Sequence, residues 1–169
     1  LTNPTNDVLE KRVALLEGAP EMGGLALASG TSAVFYAIIN LAQAGDNIIS
    51  ARNLYGGTYT QFADILPALG ITVKFVDSTD PENFRRAVDD KTRAFFCETV
   101  SNPALEVADL DAIGAIAKES GVPLIVDNTV PSPVLCNPVA LGADIVIHSA
   151  TKYLAGHGTT LGGVVVEAG

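Results

Sequence analysis

The stretch "ADIVIHSATKYLAGHGTTLGG", residues 143–163, decides how the chain is read. Its apolar run, Ile145–Ile147, has the β-branching and short length of a buried strand. Two hydroxyls and a lysine come next, Ser149, Thr151 and Lys152, and then a glycine-rich segment with almost no charge. An ammonium group beyond a strand, with no carboxylate close to it in sequence, needs a chemical reason.

That strand is one of a series. "GLALASG" (24–30) reads as a short buried strand, and "DNIISA" (46–51), "ITVKFV" (71–76), "RAFFCETV" (93–100), "VPLIVD" (122–127) and "GGVVVE" (162–167) read as further strands. Helical periodicity lies between them. "NDVLEKRVALLEG" (6–18) places Val8, Leu9, Val13, Leu15 and Leu16 as the apolar stripe of an amphipathic helix stopped by Gly18. "TSAVFYAIINLAQAG" (31–45) is a helix opened by hydroxyls and closed by Gly45, and "TYTQFADILPALG" (58–70) one whose last turn Pro67 distorts. "PENFRRAVD" (81–89) and "LDAIGAIAKESG" (110–121) complete the alternation. Strands and helices in turn, with near-continuous apolar strands, predict an α/β fold: a three-layer, mostly parallel sheet flanked by helices.

Composition agrees. In 169 residues, 48% are hydrophobic and 17% charged, which suits one domain with a large interior and excludes a disordered chain or a coiled coil. No apolar run approaches the roughly 20 residues that span a bilayer, so no membrane partner is expected. The net charge of −9 and the lack of a basic patch argue against nucleic acid. Cys97 and Cys136 fit no metal spacing and read as small buried apolar residues of a reducing, cytoplasmic compartment. The separation of His148 and His157 and their lack of nearby carboxylates argue against a zinc site, and His148 reads as a neutral, satisfied histidine near the site.

In such sheets ligands bind beyond the carboxyl ends of the strands. Gly30 and Thr31, within "SGTSA", open a helix with free N–H groups, which is either an ordinary cap or an anion seat. Tyr55 precedes two glycines, as a surface turn or as a ring that stacks on a planar ligand. Asn102 either holds a turn before Pro103 or hydrogen-bonds a ligand. Asp127 ends a strongly apolar strand, where a carboxylate is costly unless paired. A cation about 4 Å away stabilises it by roughly 4 kcal/mol at an effective dielectric of about 20. Ser149 and Thr151 can add hydroxyls to an anion site, and Lys152 an amine that is either a nucleophile or a chain reaching to solvent. Singly, the ordinary readings hold their own. Together, an anion seat, a stacking ring, an amide, a carboxylate for a ring nitrogen and a nucleophilic amine describe the needs of one ligand, pyridoxal 5′-phosphate.

The stretches "TNPTNDVLEKRVALLEG", "SGTSA", "NLYGGTYTQF", "ETVSNPALEV", "IVDNT" and "HSATKYLAGHG" resemble the Cys/Met-metabolism family of pyridoxal-phosphate enzymes along the whole chain. That resemblance implies the large cofactor-binding domain of the aspartate-aminotransferase fold, fold type I, over residues 1–169. It also implies an N-terminal arm and a C-terminal domain that these residues do not contain. "ARNLYGGTYTQF" and "GHGTTLGG", with Gly158 and Thr159, are most similar to the family's O-acetylhomoserine sulfhydrylase branch.

The implied roles are carried over position by position. Lys152 holds the cofactor aldehyde as a Schiff base and moves protons. Tyr55 stacks on the ring and assists proton transfer. Asp127 pairs with the pyridine nitrogen, and Thr129 lies near the ring. Gly30, Thr31, Ser149 and Thr151 bind the phosphate, and Asn102 contacts the ring oxygen or the substrate carboxylate. The implied reaction is γ-replacement: O-acetyl-L-homoserine with sulfide or methanethiol gives homocysteine or methionine and acetate. Cystathionine γ-synthase, methionine γ-lyase-type elimination and an inactive cofactor-domain fragment are the alternatives. Implied partners are the amino-acid substrate, a sulfide or thiol, and further subunits in a dimer of dimers with shared active sites.

Overall fold

Seven strands lie in one sheet in the order β1-β7-β6-β5-β4-β2-β3. The computed structural model describes residues 3–169. Leu1 and Thr2, at whose position the first matching stretch opens, lie outside the described residues. In chain order the strands are β1 (Gly24–Leu27), β2 (Asn47–Ala51), β3 (Thr72–Val76), β4 (Thr92–Glu98), β5 (Leu124–Asp127), β6 (Ile145–His148) and β7 (Gly163–Glu167). All neighbouring pairs from β3 to β6 are parallel, and β7 runs against both β1 and β6. The carboxyl ends of the other six strands therefore share one edge.

The helices are α1 (Pro4–Leu16), α2 (Gly30–Leu41), α3 (Gly56–Thr60), α4 (Leu66–Ala68), α5 (Glu82–Ala87), α6 (Leu110–Ser120) and α7 (Ser132–Leu135). Every residue of β2 is buried, as are six of the seven in β4. Consecutive side chains point to opposite faces, so both faces of these strands are covered. Phe62, Phe84, Phe95, Phe96, Ile48 and Ile49 form the centre of the core.

Four expectations are corrected. β1 is an edge strand whose residues are half-buried or exposed, because it has one neighbour. The apolar stripe of α1 is mostly uncovered: Val13 is buried, but Val8, Leu9, Leu15 and Leu16 are exposed, and Ala14 takes the second core position. Periodicity identifies residues that share a face, not what covers that face. Gly45 does not cap α2, which ends at Leu41 with Ala42 as its cap; Gly45 instead makes the tight turn into β2 with φ +95°. Cys97 is fully buried, whereas Cys136, just after α7, is only half-buried.

The distortion expected in the last turn lies one turn earlier than Pro67, which itself opens the short α4. A π-helical turn, Gln61–Ile65, lies between α3 and α4. Pro67 offers no N–H to the helix there, and such loosened turns absorb the missing bond.

Candidate active site

All nine residues singled out from the strand ends come together. Gly30, Thr31, Tyr55, Asn102, Asp127, Thr129, Ser149, Thr151 and Lys152 line one cleft of about 740 Å³ at the carboxyl edge of the sheet. Glu98, Thr58, Tyr153 and Gly158 also line it.

The floor of the cleft is built by short-range chemistry between adjacent strand ends. Asp127 Oδ1 accepts the Thr129 N–H at 2.9 Å, and the Thr129 hydroxyl accepts the Ser149 N–H at 2.7 Å. These bonds tie the end of β5 to the end of β6. Gly30 then lets α2 approach that floor. A Cβ on Gly30 would lie 2.6 Å from Ser149 Cβ and 2.8 Å from Ser149 Cα, so no larger residue fits. Ser29 caps α2 by accepting the Ser32 N–H at 3.1 Å. The first intrahelical bond runs from the Ala33 N–H to Ser29 O. The N–H groups of Gly30 and Thr31 thus open the helix beside the Ser149 hydroxyl, a donor set suited to a phosphate. The cap reading of "SGTSA" holds for Ser29, and the free N–H groups of the next two residues leave room for an anion.

Tyr55 stands just before α3 and is half exposed. Its ring folds back over Gly57, where a Cβ would sit 2.6 Å from Tyr55 Cε1. This explains why a glycine stands two positions after the tyrosine. Thr151 uses its hydroxyl on the backbone of Gly162, donating to O at 3.2 Å and accepting from N at 3.1 Å. That pairing holds the glycine-rich segment against the cleft.

Lys152 does not extend β6. The strand stops at His148, and Lys152 lies in the turns beyond it, exposed within the cleft wall. Among the described residues its ammonium group has no carboxylate or hydrogen-bond partner. Asp127 likewise makes no salt bridge among the described residues. Burial pushes its pKa up, and the Thr129 hydrogen bonds and the nearby His148 only partly offset that rise. A half-buried carboxylate aimed at a cleft with no resident cation is matched by a protonated ring nitrogen. The donor set at the start of α2 matches a phosphate, and the unpaired Lys152 amine lines the same cleft. The residues therefore fit pyridoxal 5′-phosphate.

Three buried polar groups escaped the sequence reading. Glu98 closes β4 at 6% exposure, in register with Asp127. Its Oε1 accepts the Tyr55 N–H at 2.6 Å and its Oε2 the Asn102 N–H at 3.0 Å. Burial, with a smaller contribution from Asp127, raises its pKa from 4.5 to about 7. Glu17 and His148 form a fully buried pair, Nε2 to Oε1 at 2.5 Å. The expected histidine without carboxylate neighbours is corrected here: its partner comes from 131 residues away, and its Nδ1 has no partner among the described residues. Asn128 joins the network by donating to Glu17 Oε1 and to Cys136 O, both at 3.0 Å. His157 is exposed, with its Nδ1 2.7 Å from Ala155 O. No local pattern announces the Glu17 pair; for Glu98 the signal that could have found it is its place as the first residue of "ETVSNP", at a strand end.

A family model described as Cys/Met metabolism PLP-dependent enzyme matches residues 1–169. The chain belongs to that family. It is 56% identical to the O-acetyl-L-homoserine sulfhydrylase of Leptospira meyeri over 169 residues, all of this chain and 38% of that protein. It is 50% identical to the homocysteine synthase of Schizosaccharomyces pombe, covering 39% of that protein. A solved structure from Campylobacter jejuni, of a candidate O-acetylhomoserine (thiol)-lyase with N′-pyridoxyl-lysine-5′-monophosphate, superposes with a TM-score of 0.95 at 42% identity. That match covers 99% of this chain and 40% of the other. The O-acetylhomoserine sulfhydrylase of Wolinella succinogenes gives a TM-score of 0.89 at 43% identity, over 98% and 46% of the two chains. The chain thus spans about two fifths of the length of these relatives, and the fold-type-I sheet holds throughout it.

Proposed function

We propose that residues 1–169 are the cofactor-binding domain of an enzyme that replaces the γ-acetoxy group of O-acetyl-L-homoserine with sulfide or methanethiol. The products are homocysteine or methionine, and acetate. The observation that carries this reading is the meeting of Lys152, Asp127, Tyr55 and the start of α2 in one cleft. The names of the relatives support the choice of substrate.

Bound pyridoxal 5′-phosphate serves as an electron sink for a carbanion at the amino-acid substrate. The Gly30 and Thr31 N–H groups and the Ser149 hydroxyl hold the phosphate. Thr151 keeps the Gly162 segment in place beside it. Asp127 keeps a proton on the ring nitrogen, the cation that its buried carboxylate lacks. Tyr55 covers one face of the ring, and Asn102 faces the ring's oxygen or the substrate carboxylate. The Lys152 amine would hold the cofactor aldehyde and, when free, would accept the proton from Cα of the substrate. The exposed cleft mouth leaves room for substrate, thiol and, in a dimer of dimers, a neighbouring subunit. Two unpaired cysteines suit a reducing cytoplasm.

The test is acetate release from O-acetyl-L-homoserine by the full-length protein with pyridoxal 5′-phosphate. Release that depends on added sulfide supports replacement. Release at the same rate without sulfide rejects it in favour of elimination.

A further inference from the structure

Glu98 spends both of its carboxylate oxygens on the walls of the cleft. It lies between two loops that carry ligand-facing side chains. Its Oε1 accepts the N–H of Tyr55, 43 residues earlier, and its Oε2 the N–H of Asn102, four residues later. It is 6% exposed and, among the described residues, makes no salt bridge. A carboxylate is the side chain that accepts at two oxygens while donating at neither. Glutamine would accept at one end and set its NH₂ against a backbone N–H at the other. Aspartate would be a methylene short.

The same two loops meet again further out, where Asn53 Nδ2 donates to Glu106 Oε2 at 2.6 Å. The second loop is braced internally by the Val100–Val107 bridge and by the Ser101–Glu106 hydrogen bonds. Glu106 does not line the cleft. The inner tie acts on the residues that face the ligand, and the outer tie acts on the loops behind them.

We propose that Glu98 is a positioning residue for the cofactor: its two oxygens fix the backbone at Tyr55 and Asn102, and so set the ring that covers the cofactor face and the amide opposite it. This rests on the pyridoxal-phosphate reading above. Interactions that hold a binding group in place are worth as much to a site as the group itself.

The experiment compares the full-length protein with Glu98→Gln, Glu98→Ala and Glu106→Ala. Two quantities are read: the dissociation constant for pyridoxal 5′-phosphate and the visible circular dichroism of the bound cofactor, which reports how the ring is held. Losing one charge-assisted hydrogen bond should weaken cofactor binding about 10-fold in Glu98→Gln, and losing both should weaken it further in Glu98→Ala. Both variants should lose visible dichroism at saturating cofactor. Glu106→Ala should stay within about two-fold of the parent, because its tie lies outside the cleft. If Glu98→Ala does not fold, Glu98→Gln, nearly the same shape, decides alone. Parent-like affinity and dichroism in Glu98→Gln overturn the proposal, as does an equal loss in Glu106→Ala. A parent that takes up no cofactor overturns the proposal and the functional reading together, whereas a binding parent with unaltered Glu98 variants overturns the proposal only.

Discussion

Asp89, at the amino edge of the sheet, and the cleft carboxylates Asp127 and Glu98, at the carboxyl edge, are treated in opposite ways. At the amino edge, where β2 and β4 begin, Asp89 accepts from Lys74 Nζ at 2.6 Å, Asn47 Nδ2 at 2.8 Å, the Lys91 N–H at 3.0 Å and the Thr92 hydroxyl at 3.1 Å. The Lys74 bond, first, and the Asn47 bond hold its pKa well below the usual carboxylate range. Nearby, Arg93 meets Asp46 at 2.9 Å. At the carboxyl edge, Asp127 and Glu98 receive mainly backbone N–H groups, and burial drives both pKa values up. Lys152, which lines the same cleft, pairs with neither. Asp89 and Asp46 find their cations within the chain, whereas Asp127 and Glu98 have none among the described residues. Departures from local satisfaction collect at functional sites.

The comparison can be broken first at Lys152. Lys152→Ala should lower kcat/KM by about 10³-fold or more and abolish the visible absorption of lysine-bound cofactor. Its urea midpoint should stay near the parent's, since an exposed lysine without partners contributes little to folding. Next comes Asp127→Asn. Removing a charge worth roughly 4 kcal/mol to a cation about 4 Å away should cost about 10²–10³-fold in kcat/KM, read by steady-state kinetics. Parental activity in the Asp127→Asn enzyme would show that this edge needs no anion.

Gly30→Ala should destabilise by about 1–3 kcal/mol in urea unfolding, because its Cβ would meet Ser149 at 2.6 Å. It should also weaken binding of the cofactor phosphate.

The smaller effects are pH-dependent, and they differ in sign between the edges. Glu98 has a raised pKa, so the folded state binds its proton more tightly than the unfolded state does. Its favourable contribution is complete below about 4.5 and is lost as pH rises to about 7. In the cofactor-free protein, Glu98→Gln should flatten that decline, measured by urea midpoints across the window. Asp89 has a lowered pKa, so its contribution is present above the ordinary value of 3.8 and is lost as pH falls through the folded value. Asp89→Asn should therefore differ slightly from the parent at neutral pH and converge with it in strong acid. The effect should be the smallest of these, because the pair is exposed and screened by solvent.

Much of this was legible in sequence for a physical reason. Buried strands write themselves as short apolar runs, and a parallel sheet collects their carboxyl ends on one edge. The residues just after each run therefore brought Gly30, Tyr55, Asn102, Asp127 and Lys152 together before any geometry was known. The features that escaped depend on contacts that sequence spacing does not carry. Glu98 looks like any acid at a strand end until its two donors, one 43 residues away, are seen. The Glu17–His148 pair joins the end of α1 to β6 across 131 residues. The exposure of Val8, Leu15 and Leu16 shows the converse limit, since a helical stripe does not say whether anything packs on it.

The central claim is that the carboxyl edge is completed by pyridoxal 5′-phosphate on one lysine. Borohydride reduction of the full-length protein with the cofactor, followed by peptide mass spectrometry, tests it directly. The account predicts a phosphopyridoxyl group on Lys152. Modification confined to Lys11, Lys74, Lys91 or Lys118, or absent from all five lysines of the chain, would contradict it.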